Sequence, residues 1–160
     1  FMMYSKAKIF QDEIAAQKII DINHRPLAKA FIDGTISRQD IINDNNLALK
    51  WQELTFEIQT IGKNIQNYDD EIWSYKRAKI VLFGAKLKFL QNEDLKNILL
   101  STQKKNMAEA SKDCIWGIGL MEEDAINTPF NAWPGMNLLG KILDQLKLEL
   151  NTEYIKKPKP

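Results

Sequence analysis

The sequence predicts a mainly α fold, a compact multi-helical single domain with at most a small β element. Apolar residues recur at helical spacing along most of the chain, and no segment alternates convincingly with the period of a strand. Residues that cap helices, such as Asp, Asn and Ser, precede several of the apolar runs. Because 160 residues suffice for one domain with its own core, we expect a single domain over 1–155 and a disordered tail over 156–160.

Composition excludes several classes of function. The apolar fraction of 44% and the charged fraction of 27% are ordinary for a globular protein. A net charge of +1 provides no broad basic face for unspecific binding to nucleic acid. A single histidine, His24, excludes a multi-histidine metal site, and a single cysteine, Cys114, excludes an internal disulfide. A single cysteine also fits a reducing cytoplasm, so we expect a cytoplasmic protein. No apolar run approaches the roughly 20 residues of a membrane span.

The first part of the chain predicts a broken helix and then an irregular segment. Asp12 is expected to interrupt the first helix by capping a second one. Residues 23–46 are expected to be irregular, because Pro26 disfavours helix in the residue before it. Within that segment, Ser37 and Asp40 form a predicted capping box for a short helix. The expected buried stripe at the start comprises Met3, Ala7, Phe10 and Ile14.

Four longer helices are predicted downstream. They begin near Asn46, Asp69, Asn92 and Asn137, and the first of them ends near Gly62. Each has an apolar side that we expect to face the core. These residues are Leu47, Trp51, Leu54, Ile58 and Ile61 in the first; Trp73, Ile80, Val81 and Leu87 in the second; Leu95, Ile98 and Leu99 in the third; and Leu139, Ile142, Leu143, Leu146 and Leu150 in the last.

The segment 107–140 is the candidate functional region. It places two carboxylates, Glu109 and Asp113, close to Trp116 and two glycines. Glycines let a ligand approach the backbone, an indole offers a flat apolar face, and carboxylates supply acid–base capacity. If the segment is helical, the two carboxylates form an i, i+4 pair on one face. The pattern therefore predicts the wall of a pocket.

Each of these residues also has a plain structural interpretation. A Glu/Asp pair four residues apart is commonly a solvated helix face, and Trp116 alone is commonly core. Trp133, with the proline and glycine that follow it, is compatible with a turn packed on the core. Lys6 is compatible with a solvated lysine or with a phosphate ligand.

Four pieces of the sequence, in this order, resemble the NADAR family of YbiA-like proteins. They are FMMYSKAKIFQDEIAAQKI, IGKNIQNYDDEIW, AEASKDCIWGIGL and WPGMNLLGKIL, and they cover roughly two thirds of the chain. The resemblance implies a largely helical fold and N-glycosidase activity. Such enzymes cleave the bond between ribose phosphate or ADP-ribose and a base-type nitrogen. Described activities include the breakdown of early riboflavin-pathway intermediates and the removal of ADP-ribose from guanine bases.

The resemblance also implies the roles of individual residues. Glu109 is expected to activate water or stabilise the ribosyl cation, with Asp113 in support. Trp116 is expected to stack on the base, and Lys6 and Lys63 to neutralise phosphate charge. No metal and no cofactor are called for. The full predicted substrate-binding set is Lys6, Lys63, Trp73, Trp116, Gly117, Gly119, Asn137 and Gly140.

Two departures from the family pattern bear on function. The chain begins at Phe1, so we expect it to lack an N-terminal segment that carries an acidic residue in the family. Residues 23–57 are longer than the usual link and predict an inserted helical hairpin. The expected partner is a nucleotide-like small molecule or an ADP-ribosylated base, with ADP-ribosylated nucleic acid as a further candidate and no membrane. A non-catalytic module that binds ADP-ribose, and an interaction domain that uses the insertion, are the alternatives.

Overall fold

The computed structural model describes residues 1–102 and 104–156, with side chains up to residue 151. Within these ranges it contains nine α-helices, one short 3-10 helix and no strand, which confirms the mainly α prediction. The predicted disordered tail lies outside the described residues, except that Lys156 ends the last helix. The helices are α1 (Met2–Ile9), α2 (Glu13–Asn23), α3 (Pro26–Ile32), α4 (Arg38–Asn43), α5 (Asn45–Lys63), α6 (Asp70–Gln91), α7 (Glu93–Ser101), α8 (Glu122–Ala125) and α9 (Leu138–Lys156), with the 3-10 helix at Phe130–Ala132.

The described chain divides into two compact units. The first is Phe1–Tyr75 and the second begins at Lys76, so the boundary falls within α6. A single domain over 1–155 stays a prediction. No helix in the described part of the chain has both the length and the apolar content required to cross a bilayer.

The break between α1 and α2 forms at Asp12, as predicted. The Asp12 carboxylate accepts a hydrogen bond from the Ala15 N–H at 2.9 Å, which caps α2, and another from the Gln66 N–H at 2.9 Å. Gln11 turns the chain with a φ of 57°. The inward orientation predicted for Ile14 was wrong, since its side chain is 68% exposed. The helix that begins after the break, α2, buries a different set of residues, which includes Ala15 and Ala16.

The segment predicted to be irregular contains two helices. The capping box of α4 is present, because Ser37 and Asp40 each accept a hydrogen bond from the other's backbone N–H. The other helix, α3, starts at Pro26 and was not predicted from the sequence. Proline breaks a helix in its interior but fits the first position, where its missing N–H has no intrahelical partner. The N-cap of α5 is Asp44 rather than Asn46. Whether residues 23–57 are an insertion stays a prediction.

In the second unit, α7 and α9 pack around a small apolar core. Leu99 of α7 and Leu146 and Leu150 of α9 form its centre. Ile98 was wrongly predicted to face inward and is 63% exposed. Consecutive helical residues point about 100° apart, so the burial of Leu99 directs Ile98 towards solvent.

Candidate functional site

The segment that carries Glu109 and Asp113 is a folded loop. Residues 107–119 contain no helix, so the condition under which Glu109 and Asp113 would form an i, i+4 pair on a helix face is not met. The Glu109 carbonyl accepts hydrogen bonds from the N–H groups of Ser111 at 3.0 Å and Ile118 at 2.9 Å. Those bonds fold the segment back on itself, because Glu109 and Ile118 are nine residues apart. We call residues 107–119 the acidic loop.

Asp113 shapes the acidic loop. One oxygen of its carboxylate, Oδ1, accepts hydrogen bonds from the backbone N–H groups of Ile115 and Trp116, both at 2.8 Å. This is the local side-chain-to-backbone pattern that Asp favours in turns. Asp113 is exposed. Its catalytic role stays a prediction beside this evident structural one.

Glu109 differs from Asp113 in having an uncommitted side chain. Glu109 is half-buried, and within the described chain its carboxylate has no hydrogen bond and no ion pair. Its backbone, in contrast, is bonded at both the N–H and the carbonyl. Trp116, which follows in the same loop, is also half-buried. The fold thus fixes the main chain of Glu109 and leaves its carboxylate available.

The acidic loop is joined by backbone hydrogen bonds to residues 135–139, which include the first two residues of α9. The carbonyls of Cys114 through Ile118 accept from the N–H groups of residues 135–139, at 2.7–3.0 Å. The two main chains lie so close that a Cβ on Gly135 would stand 2.5 Å from the carbonyl carbon of Ile118 and 2.6 Å from the Gly119 nitrogen. Gly135 is therefore needed for packing backbone against backbone.

The two glycines predicted to meet a phosphate differ in what they offer. The Gly117 N–H donates to the Asp113 carbonyl at 3.0 Å, and Gly117 is buried. Gly119 has a φ of 78°, which favours glycine. Among the described residues its N–H has no hydrogen-bond partner. Of this pair, only the Gly119 amide has no hydrogen-bond partner among the described residues.

Asn137 and Gly140 hold the start of the acidic loop. The Asn137 side chain accepts from the Glu109 N–H at 3.0 Å and donates to the Met107 carbonyl at 2.8 Å. A Cβ on Gly140 would stand 2.5 Å from Asn137 Oδ1 and would also overlap the Met107 carbonyl oxygen. Both predicted ligands of a substrate therefore face the protein's own backbone.

A cavity of about 330 Å³ lies beside this loop in the second unit. Its lining includes Asn106, Phe130, Trp133, Asn137 and Lys141. The Trp133 indole N–H donates to the Thr128 carbonyl at 3.1 Å, and the Phe130 and Trp133 rings are 4.9 Å apart. Glu109 and Trp116 are not among its lining residues.

The sequence predicts a pocket wall over 107–140, but Phe130, Trp133 and Lys141 are not in the predicted binding set. Trp133 is also compatible there with a turn packed on the core, whereas in the structure it is half-buried and lines the cavity. The signal was two aromatic residues three apart, Phe130 and Trp133, followed by Lys141. The ammonium of Lys141 is exposed and has no partner within the described ranges.

The first unit brings two of the predicted ligands together. The Lys6 ammonium donates to the Gly62 carbonyl at 2.8 Å, and it lies 4.2 Å from the centre of the Tyr68 ring and 5.5 Å from that of Trp73. Burial lowers the pKa of Lys6, and the nearby charge of Asp70 opposes that shift. Trp73 is buried. Lys6 is therefore a held cation on aromatic faces rather than a freely solvated lysine.

Lys63 does not join this group. It is exposed at the last residue of α5, and no hydrogen bond or ion pair of its ammonium is found in the described chain.

Comparison with known proteins identifies the family. The family model of the NADAR domain matches residues 1–151. The chain belongs to the NADAR family. A relative named N-glycosidase R617, from Acanthamoeba polyphaga mimivirus, is 46% identical over 94 residues, which are 58% of this chain and 55% of the relative. The protein irg-1 of Caenorhabditis elegans is 41% identical over 99 residues, 60% of this chain and 47% of the relative. The chain thus spans about half the length of these curated relatives.

Proposed function

We propose that this NADAR chain is an N-glycosidase that hydrolyses the bond between ribose phosphate or ADP-ribose and a base-type nitrogen. The family and the 46% identity to a protein named an N-glycosidase support this activity. The observation that carries it is the contrast within Glu109, whose main chain is hydrogen-bonded on both sides while its carboxylate has no partner in the described chain. A fixed backbone with an uncommitted acid is suited to catalysis, because positioning precedes chemistry.

The reaction needs a carboxylate because positive charge develops on the ribose as the base leaves. Water attacks C1′ while the C1′–N bond breaks and its electron pair leaves with the nitrogen. The Glu109 carboxylate takes up the proton that water loses and then passes it, directly or through solvent, to the departing nitrogen, so the carboxylate is ionised again at the end of the reaction. It also faces the developing cation. Trp116 stacks on the base, and the free N–H of Gly119 binds a phosphate oxygen.

Lys6 is the proposed phosphate ligand of the first unit. Its ammonium has three donors, and the described contacts use one of them on the Gly62 carbonyl. The aromatic rings of Tyr68 and Trp73 hold it in one place, so little side-chain entropy is lost on binding. The substrate classes to be tested are an ADP-ribosylated guanine and a phosphoribosylamino-pyrimidine.

The decisive variant is Glu109→Gln. It keeps the shape of the side chain and removes its charge, so we expect hydrolysis to fall by at least about 100-fold while substrate binding is retained. Release of free base from each substrate class measures the activity, and substrate-dependent thermal stability measures binding. Glu123→Gln is the matched control, since Glu123 is exposed in the same unit. Wild-type hydrolysis by the Glu109 variant would remove Glu109 from the mechanism.

A second candidate is a module that binds ADP-ribose or a related nucleotide without cleaving it. The cavity between Phe130, Trp133 and Lys141 favours this alternative, because it offers aromatic faces and a cation but is not lined by Glu109. A rise in thermal stability with ADP-ribose, with no base released from either substrate class, would support the binding module against the enzyme.

A further inference from the structure

The side chain of Asn137 is fully occupied by the acidic loop. Only 6% of the residue is exposed. Its Oδ1 accepts from the Glu109 N–H at 3.0 Å, and its Nδ2 donates to the Met107 carbonyl at 2.8 Å. The two backbone groups lie on either side of Ala108. One carboxamide therefore fixes the peptide groups that lead directly into Glu109.

The backbone of Asn137 holds the other end of the same loop. Its N–H donates to the Gly117 carbonyl at 2.8 Å, and its φ of 51° directs the chain into α9. Gly140, one turn further on, lacks the Cβ that would overlap the Met107 carbonyl. Asn137 thus links residues 107–109 to residue 117. Both ends of the acidic loop are hydrogen-bonded to this one residue, which directly precedes α9.

We propose that Asn137 is a positioning residue that holds the Glu109 carboxylate in its working place through the backbone, and that it is not a substrate ligand. The proposal rests on the catalytic role of Glu109 given above. A ligand role would require the carboxamide to release one of its two backbone partners, which would leave a buried amide or carbonyl group without a hydrogen bond. Small displacements of a catalytic group lower the rate steeply, on the order of 100-fold for about 1 Å.

The test uses the chemical difference between an amide and a carboxyl. In Asn137→Asp the ionised carboxylate still accepts from the Glu109 N–H, but it places an oxygen against the Met107 carbonyl. Burial and that carbonyl raise the pKa of the introduced carboxyl, and the Glu109 N–H and the N-terminus of α9 oppose this shift. Once protonated, the carboxyl again has one donor and one acceptor, as the amide has.

The expected result is therefore a rescue by acid. At about pH 8, kcat of Asn137→Asp, per folded molecule, should fall on the order of 100-fold with KM nearly unchanged. As the pH falls towards about 5, the ratio of the variant's kcat to that of the wild type at the same pH should rise, because protonation restores the donor. The measurement uses the full natural chain, release of base from an ADP-ribosylated guanine and a phosphoribosylamino-pyrimidine, and the folded fraction from thermal unfolding.

Asn137→Gly separates the side chain from the backbone conformation. Glycine accepts a φ of 51° without strain, so only the carboxamide is lost. We expect a lower kcat and a ratio to wild type that does not change with pH. Asn67→Gly is the matched control, because Asn67 has a similar φ of 55° and lies in the first unit. That control should keep the wild-type kcat.

The outcomes separate this proposal from the one on which it rests. In the Glu109→Gln background, Asn137→Asp should cause little further loss, since Asn137 acts through Glu109. An unchanged kcat with a raised KM would assign Asn137 to substrate binding and overturn the proposal. So would an activity loss that follows the folded fraction alone. If Glu109→Gln keeps full activity, the catalytic assignment itself fails, whatever the Asn137 variants do.

Discussion

The two units place their candidate functional groups by different means. In the first unit, side-chain contacts hold the candidate group in place: the Lys6 ammonium lies over two aromatic rings and donates to one carbonyl. In the second unit, main-chain hydrogen bonds do so: carbonyls of the acidic loop accept from the N–H groups of residues 135–139, and the two backbones come closest at Gly135. The first arrangement tolerates small shifts. The second does not, because backbone atoms move only with their whole segment.

A pair of glycines makes the difference concrete. The three atoms nearest to a Cβ on Gly62 in the first unit all belong to the side chain of Met3, which has several flexible bonds. A Cβ on Gly135 would meet the backbone of Gly117, Ile118 and Gly119. We infer that the acidic loop is pre-organised by its backbone, and that changes there affect stability more than equivalent changes in the first unit.

The largest stability effect is expected where a buried charge ties α9 to the segment before the acidic loop. Lys147 is buried, and its ammonium donates to the carbonyls of Thr102 at 3.2 Å and Lys105 at 2.6 Å and pairs with Asp144 at 2.7 Å. Lys147→Met removes the cation that pairs with Asp144 and the only described donor to the Lys105 carbonyl, whereas the Thr102 carbonyl keeps the Lys105 N–H and Asp144 keeps the Met107 N–H. We expect the free energy of unfolding to fall by about 3 kcal/mol, measured by urea denaturation.

Lys141→Met is the control for that change. Lys141 lies on the same helix, but it is exposed and makes no ion pair in the described chain, so we expect a change within about 0.5 kcal/mol. Equal changes in the free energy of unfolding of the two variants would mean that burial of the Lys147 ammonium makes no difference, and that this ammonium does not anchor the loop.

The next effect tests the two glycines directly. Gly135→Ala should lower the free energy of unfolding by about 2–3 kcal/mol, because the new methyl group forces two bonded backbone segments apart. Gly62→Ala should cost less, since Met3 can change rotamer and alanine favours a helix over glycine by about 1 kcal/mol. Thermal or urea unfolding of both variants checks the order. A larger loss in Gly62→Ala would break the comparison between the units.

Much of the helical framework could be predicted from the sequence, because helix ends carry local chemistry. The cap at Asp12 and the box at Ser37 and Asp40 were found at their predicted positions. The errors arose where the same residue is compatible with two local structures. Pro26 disfavours helix in the residue before it, but it also starts α3. Ile14 continues the apolar spacing of α1, but α1 ends at Ile9 and Ile14 lies in α2, where it is exposed.

The candidate site was predicted less completely, because its geometry depends on pairing between distant segments. The sequence located the carboxylates, the tryptophan and the glycines of 107–119, but no local pattern shows that Gly117 meets residues 135–137 or that Asn137 binds the backbone beside Glu109. Long-range backbone pairing has no periodic signal. The helical premise for Glu109 and Asp113 failed for the same reason.

The smallest effect is expected at Asp113, and it tests whether Asp113, unlike Glu109, only shapes the loop. Asp113→Asn keeps the oxygen that accepts from Ile115 and Trp116, so the turn should survive and the free energy of unfolding should change by less than about 1 kcal/mol. If Asp113 only shapes the loop, kcat for base release should remain within about threefold of wild type, since the same backbone bonds position Trp116. Asp124→Asn, an exposed change in the same unit, is the control. A loss of about 100-fold in kcat without loss of stability would instead assign Asp113 to the reaction, because general acid–base groups have effects of that size.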